Sequence, residues 1–307
     1  MNEVSTHSLV AHPKELAKQG RHGEALQVLS VALSEFPHFS LEIMIAAYNI
    51  AQAMPDKSRY AQYQSRYFDF GIKPGDKVLD MGSGHIPFPL ATHLAAIALE
   101  DHSVGRAGVP FKHVDGKPVY ECSVEKTPFG DKEFDFVYCS HVLEHVKNPE
   151  AACRELMRIG KRGYIECPSR GKDTFFAIAS LSNHLWAVEC VNGVLGFTEY
   201  TDTDKLGVET PILLDMNCAP QSMREKCVAA LDLLRADRLN VMLMWEDSFP
   251  FEVRRQKQWP TSVRGPQEQR VSLSQRNASA FASGVLKHRI TGYINKVRSK
   301  LARIIAP

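Results

Sequence analysis

Apolar residues along the chain follow two different spacings, which predict two structural regions. From Lys14 to Met54 they recur three and four positions apart, which is a helical pattern, and Pro37 predicts a break between two helices. From residue 78 onward, short apolar runs alternate with glycine turns and helical patterns, as is typical of an α/β sheet. We therefore predict a helical cap over residues 1–57 and an α/β domain over residues 58–255.

The predicted cap contains part of a repeat. Its segment KQGRHGEALQVLSVALSEFP resembles the second half of a tetratricopeptide repeat, with Gly20, Ala25, Ala32 and Pro37 at matching positions. The match covers half of one unit, and no second copy follows at the roughly 34-residue period of such repeats. We expect these helices to pack on the rest of the chain rather than to form a peptide-binding array.

The stretch VLDMGSGHIPFPL, residues 78–90, joins an apolar run to a glycine turn. Asp80 stands at the predicted end of a strand, and Gly82 and Gly84 allow the backbone to turn tightly and to approach a ligand. Pro87 and Pro89 suit the first turn of a helix. Ligands of open α/β sheets bind at the carboxyl ends of the strands, so we expect a cofactor here. The expected contacts are Asp80, Gly82, Ser83 and Gly84.

The glycine spacing separates two kinds of cofactor. A dinucleotide fingerprint that starts at Gly82 would need a third glycine at the position of Pro87. The D-x-G-x-G pattern of residues 80–84 resembles instead the first motif of class I S-adenosylmethionine-dependent methyltransferases, of the type 11-like kind, although Ile86 stands at their usual third glycine. The stretch FDFVYCSHVLEHVKNP, residues 134–149, closely resembles their fourth motif, and RGYIECP supplies the following strand.

This resemblance covers residues about 70–170 and implies both fold and cofactor. It implies a Rossmann-like α/β fold with a seven-stranded mixed sheet, and it implies S-adenosylmethionine (SAM) as the cofactor. A helix through residues 90–94 and a strand over 95–99 are expected after the glycine turn. The last two strands are expected at residues 240–245 and 250–254, as an antiparallel pair that closes the sheet after a helix over 225–234.

The resemblance also implies contacts to the adenosine part of SAM. A carboxylate after the second strand can accept hydrogen bonds from both ribose hydroxyls, and Asp101 is the preferred candidate with Glu100 as the alternative. The stretch PVYECSVEKTPF resembles the third motif of the family. Ser123 replaces an aspartate that often binds the adenine amino group there, so the backbone N–H of Val124 is the expected contact to the ring.

Two further cofactor contacts are expected. Ser140 ends the FDFVYCS strand and would face the cofactor. A helix dense in aromatic residues is predicted over residues 59–70, and in this class the helix before the first strand often closes over SAM, which makes Tyr63 a candidate. Tyr60, Tyr63 and Tyr67 are also spaced like one helical face, so core packing is the default interpretation.

Methyl transfer to a hydroxyl requires alignment of the two reactants and removal of a proton. His141, at the carboxyl end of its strand, is the best-placed base. His145 and Glu144 follow it closely, and we expect them to pack or to support the turn. His184 is a rival base in a hairpin that is predicted over residues 184–200.

The methyl acceptor stays open at this point. We expect O-methylation of a small-molecule or glycan acceptor, and Trp186 and Phe197 of the predicted hairpin would either line its pocket or pack in a core. A protein or lipid acceptor is the second interpretation. Outside the enzyme class, the chain would be an interaction protein that binds SAM without turnover, or a fold that serves a different nucleotide.

Net charge, cysteine spacing and the lengths of apolar runs limit the partners and the cell compartment that we expect for this protein. A net charge of +2 over 307 residues gives no reason to expect a nucleic-acid partner. The seven cysteines include no C-x-x-C pair, so we expect free thiols in a reducing cytoplasm and no metal site. The N-terminal stretch lacks the apolar segment of a secretion signal, and no run approaches the roughly 18 apolar residues that span a bilayer.

Beyond residue 255 the composition predicts a linker over residues 256–280 and a basic amphipathic tail over residues 281–307. From Phe281 to Ile305 the tail has no acidic residue, and bases alternate with Val, Leu and Ile at helical spacing. Such a helix can bind an anionic membrane surface, which would place the protein at the inner face of the membrane. Docking on the acidic flank of its own domain is the alternative.

Overall fold

The computed structural model describes residues 6–100, 109–175, 184–201 and 220–255. Nine strands lie in these ranges: β1 Val78–Met81, β2 His93–Ala96, β3 Val119–Glu121, β4 Phe136–Ser140, β5 Arg162–Pro168, β6 Trp186–Val191, β7 Val194–Glu199, β8 Asn240–Glu246 and β9 Phe251–Arg254. The helices are α1 Thr6–Lys18, α2 His22–Glu35, α3 Ser40–Ala53, α4 Ser65–Tyr67, α5 Pro149–Ile159, α6 Arg170–Phe175, α7 Met223–Leu234 and α8 Ala236–Leu239. Short turns of 3-10 helix occupy Pro37–Phe39 and Leu143–His145, and a π-helical turn occupies Tyr60–Gln64.

Six of the strands form the central sheet, in the order β3-β2-β1-β4-β5-β8. Strands β1 to β5 are parallel, and β8 runs antiparallel to β5. Every residue of β1 and β4 is buried, as expected for central strands of a parallel sheet that is covered on both faces. The predicted α/β fold with a mixed sheet is confirmed, with six strands in the central sheet of the described ranges rather than seven.

The strand that was expected to be the seventh lies in a different sheet. β9 does not pair with β8 but runs parallel to β7, in a three-stranded sheet of order β6-β7-β9. Phe251 stands opposite Leu195, and Val253 stands opposite Phe197. The two apolar residues of β9 thus meet apolar residues of β7, and this match decides which sheet β9 joins.

The cap helices and α7 share one hydrophobic core. α2 ends at Glu35 and α3 begins at Ser40, which confirms the break at Pro37. The described part of the cap has three helices rather than two. The additional helix is α1, which begins at Thr6, before the start of the helical pattern that the sequence showed. Leu26, Leu29 and Ile43 pack in the same cluster as Ala230 and Leu234 of α7.

The helix that was expected after the glycine turn is absent, and that prediction was wrong. Residues 82–92 form turns, and β2 begins at His93, two positions earlier than predicted, and ends at Ala96. Pro87 and Pro89 have no N–H to donate, and the N–H of Phe88 between them is donated to the carboxylate of Asp80. The segment therefore has few backbone donors left for a helical ladder.

Six of the seven cysteines lie in the described ranges, and all six are free thiols. Burial raises the pKa of the Cys139 and Cys167 thiols well above the usual value. Cys218, Asp101, the linker and the tail lie outside the described residues.

No single helix among the described residues is both long and apolar enough to cross a membrane. α2 and the segment Pro37–Ala53 reach the required length and composition only together, with a bend of 118° between them.

Candidate active site

The glycine turn after β1 requires glycine at one position. Gly82 has a φ of +86°, and a Cβ on it would overlap the side chain of Val142. The N–H groups of Gly82 and Ser83 both donate to the carbonyl of Ala95, at 2.8 and 2.9 Å. These bonds tie the turn to β2, so the turn has a fixed place between the ends of two parallel strands.

Asp80 is buried at the carboxyl end of β1. Its Oδ2 accepts a 2.8 Å hydrogen bond from the backbone N–H of Phe88. Burial raises the pKa of this carboxyl to about 6, although the N–H of Phe88 opposes the shift. A carboxylate buried this deeply suits contact with a cationic or hydroxyl group of a ligand.

Two cavities open on either side of the glycine turn, and Gly82 lines both of them. The smaller has a volume of about 100 Å³ and the larger about 310 Å³. Residues of the smaller cavity include Arg59, Asp80, Ser83, Gly84, Ser140 and His141. Residues of the larger include Met81, Ala96, Ser123, Val124, Val142 and His145. Most of the predicted cofactor contacts are therefore gathered around one turn.

The smaller cavity also holds polar atoms that need a partner. The hydroxyl oxygens of Ser83 and Ser140 are buried, and neither makes a hydrogen bond of full geometry with a described residue, although Ser83 lies beside Asp80 and Ser140 beside Tyr138. Ile86, at the place of the family's third glycine, borders the same cavity with a partly exposed side chain. Buried hydroxyls that lack full hydrogen bonds are costly, so a polar ligand such as the amino-acid end of SAM fits this cavity.

Glu100, the alternative candidate for the ribose contact, lies away from both cavities. β2 ends at Ala96, so Glu100 follows the strand by several residues, and it is exposed and does not line either cavity. Asp101, the preferred candidate, lies outside the described residues. Glu125 does line the larger cavity, and its Oε1 accepts hydrogen bonds from the N–H groups of Lys147 and Asn148. The sequence motifs gave no indication of this acid.

The third-motif stretch meets the larger cavity as expected. Ser123 and Val124 both line it, and Val124 is buried. The Ser123 hydroxyl accepts a 3.2 Å bond from the N–H of Glu125, which closes a tight turn after β3. Ser123 therefore has a local structural partner, and Val124 offers the apolar surface against which a ring could pack.

His141 lies where β4 ends and has an unusual backbone conformation, with a φ of +57°. Its N–H donates to the carbonyl of Glu166 at 2.7 Å. Its Nε2 is 3.1 Å from Oε1 of Glu166, and its Nδ1 is 3.4 Å from Oε1 of Glu144. The ring thus lies between two fully buried carboxylates, and the side chain borders the smaller cavity with 19% of its surface exposed.

Glu166 organises the polar groups beneath His141. Its carboxylate accepts hydrogen bonds from the hydroxyls of Tyr63 and Tyr164 and from Nε2 of Gln64. Burial alone would raise the pKa of Glu166, but His141 and then Arg59 outweigh it and lower the pKa to about 2. Tyr63 is therefore a partner of Glu166 rather than a residue lining either cavity, and the role of Glu166 was not foreseen.

The other two predicted histidines meet at a second carboxylate. His145 belongs to the turn Leu143–His145, and His184 precedes β6, yet both approach Glu144. Burial would raise the pKa of Glu144, but His141, His145 and His184 lower it to about 2. His145 borders the larger cavity, whereas His184 is buried and lines neither.

The hairpin predicted around Asn192 and Gly193 is confirmed as β6 and β7, with φ values of +51° and +78° at the turn. Trp186 and Phe197 are buried in the main core, and neither lines a cavity. Nε1 of Trp186 donates to the carbonyl of Val146 at 2.7 Å. Of the two roles expected for Trp186 and Phe197, the structure therefore supports packing in a core rather than lining an acceptor pocket.

Comparison with known proteins finds relatives of the part of the chain that contains this site. Residues 79–165 match the family described as Methyltransferase domain. The ubiquinone/menaquinone biosynthesis C-methyltransferase UbiE of Xanthomonas oryzae pv. oryzae is 35% identical over 103 residues, which are 30% of this chain and 41% of that protein. The sterol 24-C-methyltransferase ERG6B of Gibberella zeae is 32% identical over 106 residues, which are 32% of this chain and 28% of that protein. The chain thus spans about two fifths of the length of the first relative.

Among solved structures, a complex of the Haloferax volcanii Trm112 methyltransferase activator with a methyltransferase overlaps 58% of this chain and 84% of that chain, at 13% identity and a TM-score of 0.35. The family match falls on the strands around the glycine turn and confirms the resemblance seen in the motifs. The methyl donor of this family is SAM.

Proposed function

We propose that this chain, which contains a class I methyltransferase domain, transfers a methyl group from SAM to a small-molecule acceptor. The observation that carries the proposal is the pair of cavities that meet at Gly82, with Asp80 and the buried hydroxyls of Ser83 and Ser140 on one side. The relatives named above act, by their names, in quinone biosynthesis and on sterols, which favours a small molecule over a protein.

The residues divide the cofactor between the two cavities. Asp80, Ser83, Gly84 and Ser140 would hold its polar end in the smaller cavity, and Val124 would pack against its ring in the larger one. SAM supplies a methyl group on a sulfonium, which is already reactive, so the protein has mainly to align the acceptor and to accept a proton.

His141 is the residue that we propose to accept the proton from the acceptor. It borders the smaller cavity, as His85 also does, and it directly follows β4, where Glu144 and Glu166 hold its ring from two sides. An imidazole beside two carboxylates is well stabilised once it becomes a cation. A hydroxylated or glycan acceptor and O-methylation remain our first proposal. C-methylation is the second, because both relatives are named C-methyltransferases.

Binding and turnover are tested separately. Calorimetry with the purified full chain should detect SAM and S-adenosylhomocysteine but not NADH, and binding of NADH alone would refute the cofactor proposal. Cell extracts incubated with the protein and methyl-labelled SAM should then yield a labelled small molecule. Binding without any labelled product would favour an interaction protein that does not turn over, and label on protein or lipid would favour the second acceptor class.

The role of His141 needs a test that separates chemistry from cofactor binding. His141→Ala should lower turnover of the identified acceptor by about 100-fold or more, the usual scale of general base catalysis, with little change in SAM affinity. The control is His38→Ala, which removes an exposed histidine. Equal losses of turnover and of SAM affinity would show that His141 supports the cofactor site instead.

Location is proposed from the sequence of the tail. Residues 281–307 would bind anionic lipid and hold the enzyme at the inner face of the membrane, beside a hydroxylated or glycan acceptor at that surface. The tail lies outside the described residues, so this proposal rests on its pattern of bases and apolar side chains.

A further inference from the structure

We propose that Glu144, His145 and His184 bind a divalent transition-metal ion. One ligand atom from each of these side chains lies within 4.8 Å of the others. Oε1 of Glu144 is 3.9 Å from Nε2 of His145 and 4.0 Å from Nε2 of His184. The two imidazole rings stand 4.5 Å apart at an interplanar angle of 76°, so they converge on the carboxylate rather than stack on each other.

The charge of Glu144 calls for a cation. Its side chain is fully buried. Imidazole nitrogens of His141, His145 and His184 lie 3.4, 3.9 and 4.0 Å from its Oε1, which is longer than a normal N–H···O hydrogen bond. A buried carboxylate without hydrogen bonds is costly unless a positive charge compensates it. A metal ion coordinated by Glu144, His145 and His184 would supply that charge.

A second buried carboxylate orients one of the ligands. Nδ1 of His184 lies 3.0 Å from Oδ2 of Asp173, which also accepts a 3.0 Å hydrogen bond from the hydroxyl of Tyr200. Asp173 is buried, so a hydrogen on Nδ1 would be held by this contact, and Nε2 faces Glu144 at 4.0 Å. A carboxylate behind a histidine is the usual support of a metal ligand.

Two imidazoles and one carboxylate are a donor set for zinc and for similar first-row ions. In a tetrahedral site with bonds of about 2.0–2.2 Å, neighbouring ligand atoms are roughly 3.4 Å apart. The gaps of 3.9 and 4.0 Å around Glu144 would have to close by about half an ångström on binding. The cysteine count could not indicate such a site, because no cysteine belongs to it.

His141 offers the competing explanation. Its Nδ1 is 3.4 Å from the same Oε1 of Glu144, so a protonated His141 could compensate the charge without any metal. The two explanations differ in whether the protein takes up metal in stoichiometric amount. They also differ in the role of Asp173, which matters for metal affinity only if His184 is a ligand.

The experiment measures metal on the full chain, purified without a histidine tag and stripped with a chelator. Zn²⁺ and Co²⁺ are added in turn, the excess is removed by dialysis, and bound metal is counted by mass spectrometry. We expect about one ion per chain and the visible absorption of tetrahedral or five-coordinate Co²⁺. His184→Ala and His145→Ala should each abolish this signal, and His38→Ala, an exposed histidine, should retain it.

Asp173→Asn tests the supporting role. It should weaken Co²⁺ binding by about 10-fold or more while the melting temperature of the metal-free protein stays close to that of the wild type, and Asp173→Glu should restore part of the affinity. Less than stoichiometric uptake by the folded wild type would overturn the proposal, as would uptake that His184→Ala and His145→Ala leave unchanged. No SAM is present in these measurements, so they stand or fall independently of the proposed methyl transfer.

Discussion

The hydroxyl of Tyr63 donates a 2.6 Å hydrogen bond to Oε1 of Glu166, the same oxygen that lies 3.1 Å from Nε2 of His141. One buried carboxylate therefore connects the aromatic turn before β1 with the histidine at the edge of the smaller cavity. Gln64, next to Tyr63, donates to the other oxygen of Glu166. The segment that precedes the sheet thus helps to hold the proposed base in position.

Removing the Tyr63 hydroxyl should be costly. Tyr63→Phe deletes a buried hydrogen bond to a charged group, so we expect the free energy of unfolding to fall by about 1.5–3 kcal/mol. Tyr67→Phe is the matched control, since its hydroxyl bonds Asp237 at an exposed position and should be worth less than about 1 kcal/mol. Urea unfolding of both variants measures the difference, and equal losses would contradict the importance assigned to Glu166.

The sequence predicted the parts of this protein that depend on local pattern. β4 and β5, helix α7 and the hairpin of β6 and β7 all lie at or close to the positions that the motifs, the apolar spacing and the turn residues predicted. The helix after the glycine turn failed because Asp80 takes the N–H of Phe88, which is a contact between a side chain and a backbone group that periodicity does not reveal. The pairing of β9 with β7 was missed for a different reason, because the two strands lie far apart along the chain.

The same limit applies to the candidate site. Asp80 and Gly82 belong to the glycine-turn motif and His141 to the motif at residues 134–149, so the sequence was sufficient to select them as candidate site residues. Glu166 was missed, because its importance comes from partners as distant in sequence as Tyr63 and His141. Burial and charge around a residue emerge only when such segments are brought together in three dimensions.

Gly82→Ala should impair SAM binding by displacing a wall of the larger cavity. The new Cβ would overlap the side chain of Val142, which lines that cavity, and the φ of +86° adds strain. We expect SAM affinity to fall about tenfold or more, which corresponds to about 1.4 kcal/mol. Gly75→Ala is the matched control, because Gly75 also has a positive φ, of +94°, but no atom lies within 4 Å of the added Cβ.

Calorimetric titration of the two glycine variants distinguishes the overlap from the strain. Gly75→Ala should lose some stability and keep its affinity for SAM within about twofold, which is well below the 1.4 kcal/mol of a tenfold change. If both variants bound SAM as the wild type does, the glycine turn would not be the cofactor site. If both variants lost affinity for SAM equally, backbone strain at a glycine, and not overlap with Val142, would explain the loss.

The tail should bind anionic lipid in a salt-dependent manner. Its bases attract a negative surface by about 1 kcal/mol each, and exposed charges are screened within about 10 Å at 0.1 M salt. Flotation with phosphatidylglycerol vesicles should carry the full chain upward at low salt and less of it at high salt. A chain shortened to end at Gln256 should stay in solution and still bind SAM. If both proteins ignored the vesicles, the tail would serve docking or a protein partner.

Asp80 should make the protein less stable as the pH rises from about 4 to about 6. Burial raises its pKa from 3.8 to about 6, so the folded state holds a proton that the unfolded state has already lost. At about 1.4 kcal/mol for each pH unit between these values, ionisation costs about 3 kcal/mol by neutral pH. The pKa values of Glu144 and Glu166 are lowered from 4.5 to about 2. Ionisation of these two carboxylates therefore makes the folded protein more stable as the pH rises from about 2 to about 4.5, mostly below the range in which Asp80 acts.

Asp80→Asn isolates this contribution, because the amide keeps an oxygen that can accept from Phe88 but carries no charge. Urea unfolding at several pH values should show a variant that gains stability relative to the wild type as the pH rises, and a difference that levels off above pH about 6.5. Wild-type protein should bind SAM more tightly as Asp80 ionises over the same pH range, whereas the affinity of Asp80→Asn should not change there. A stability difference that stayed constant across the range would mean that Asp80 titrates normally and that water reaches it in the folded protein.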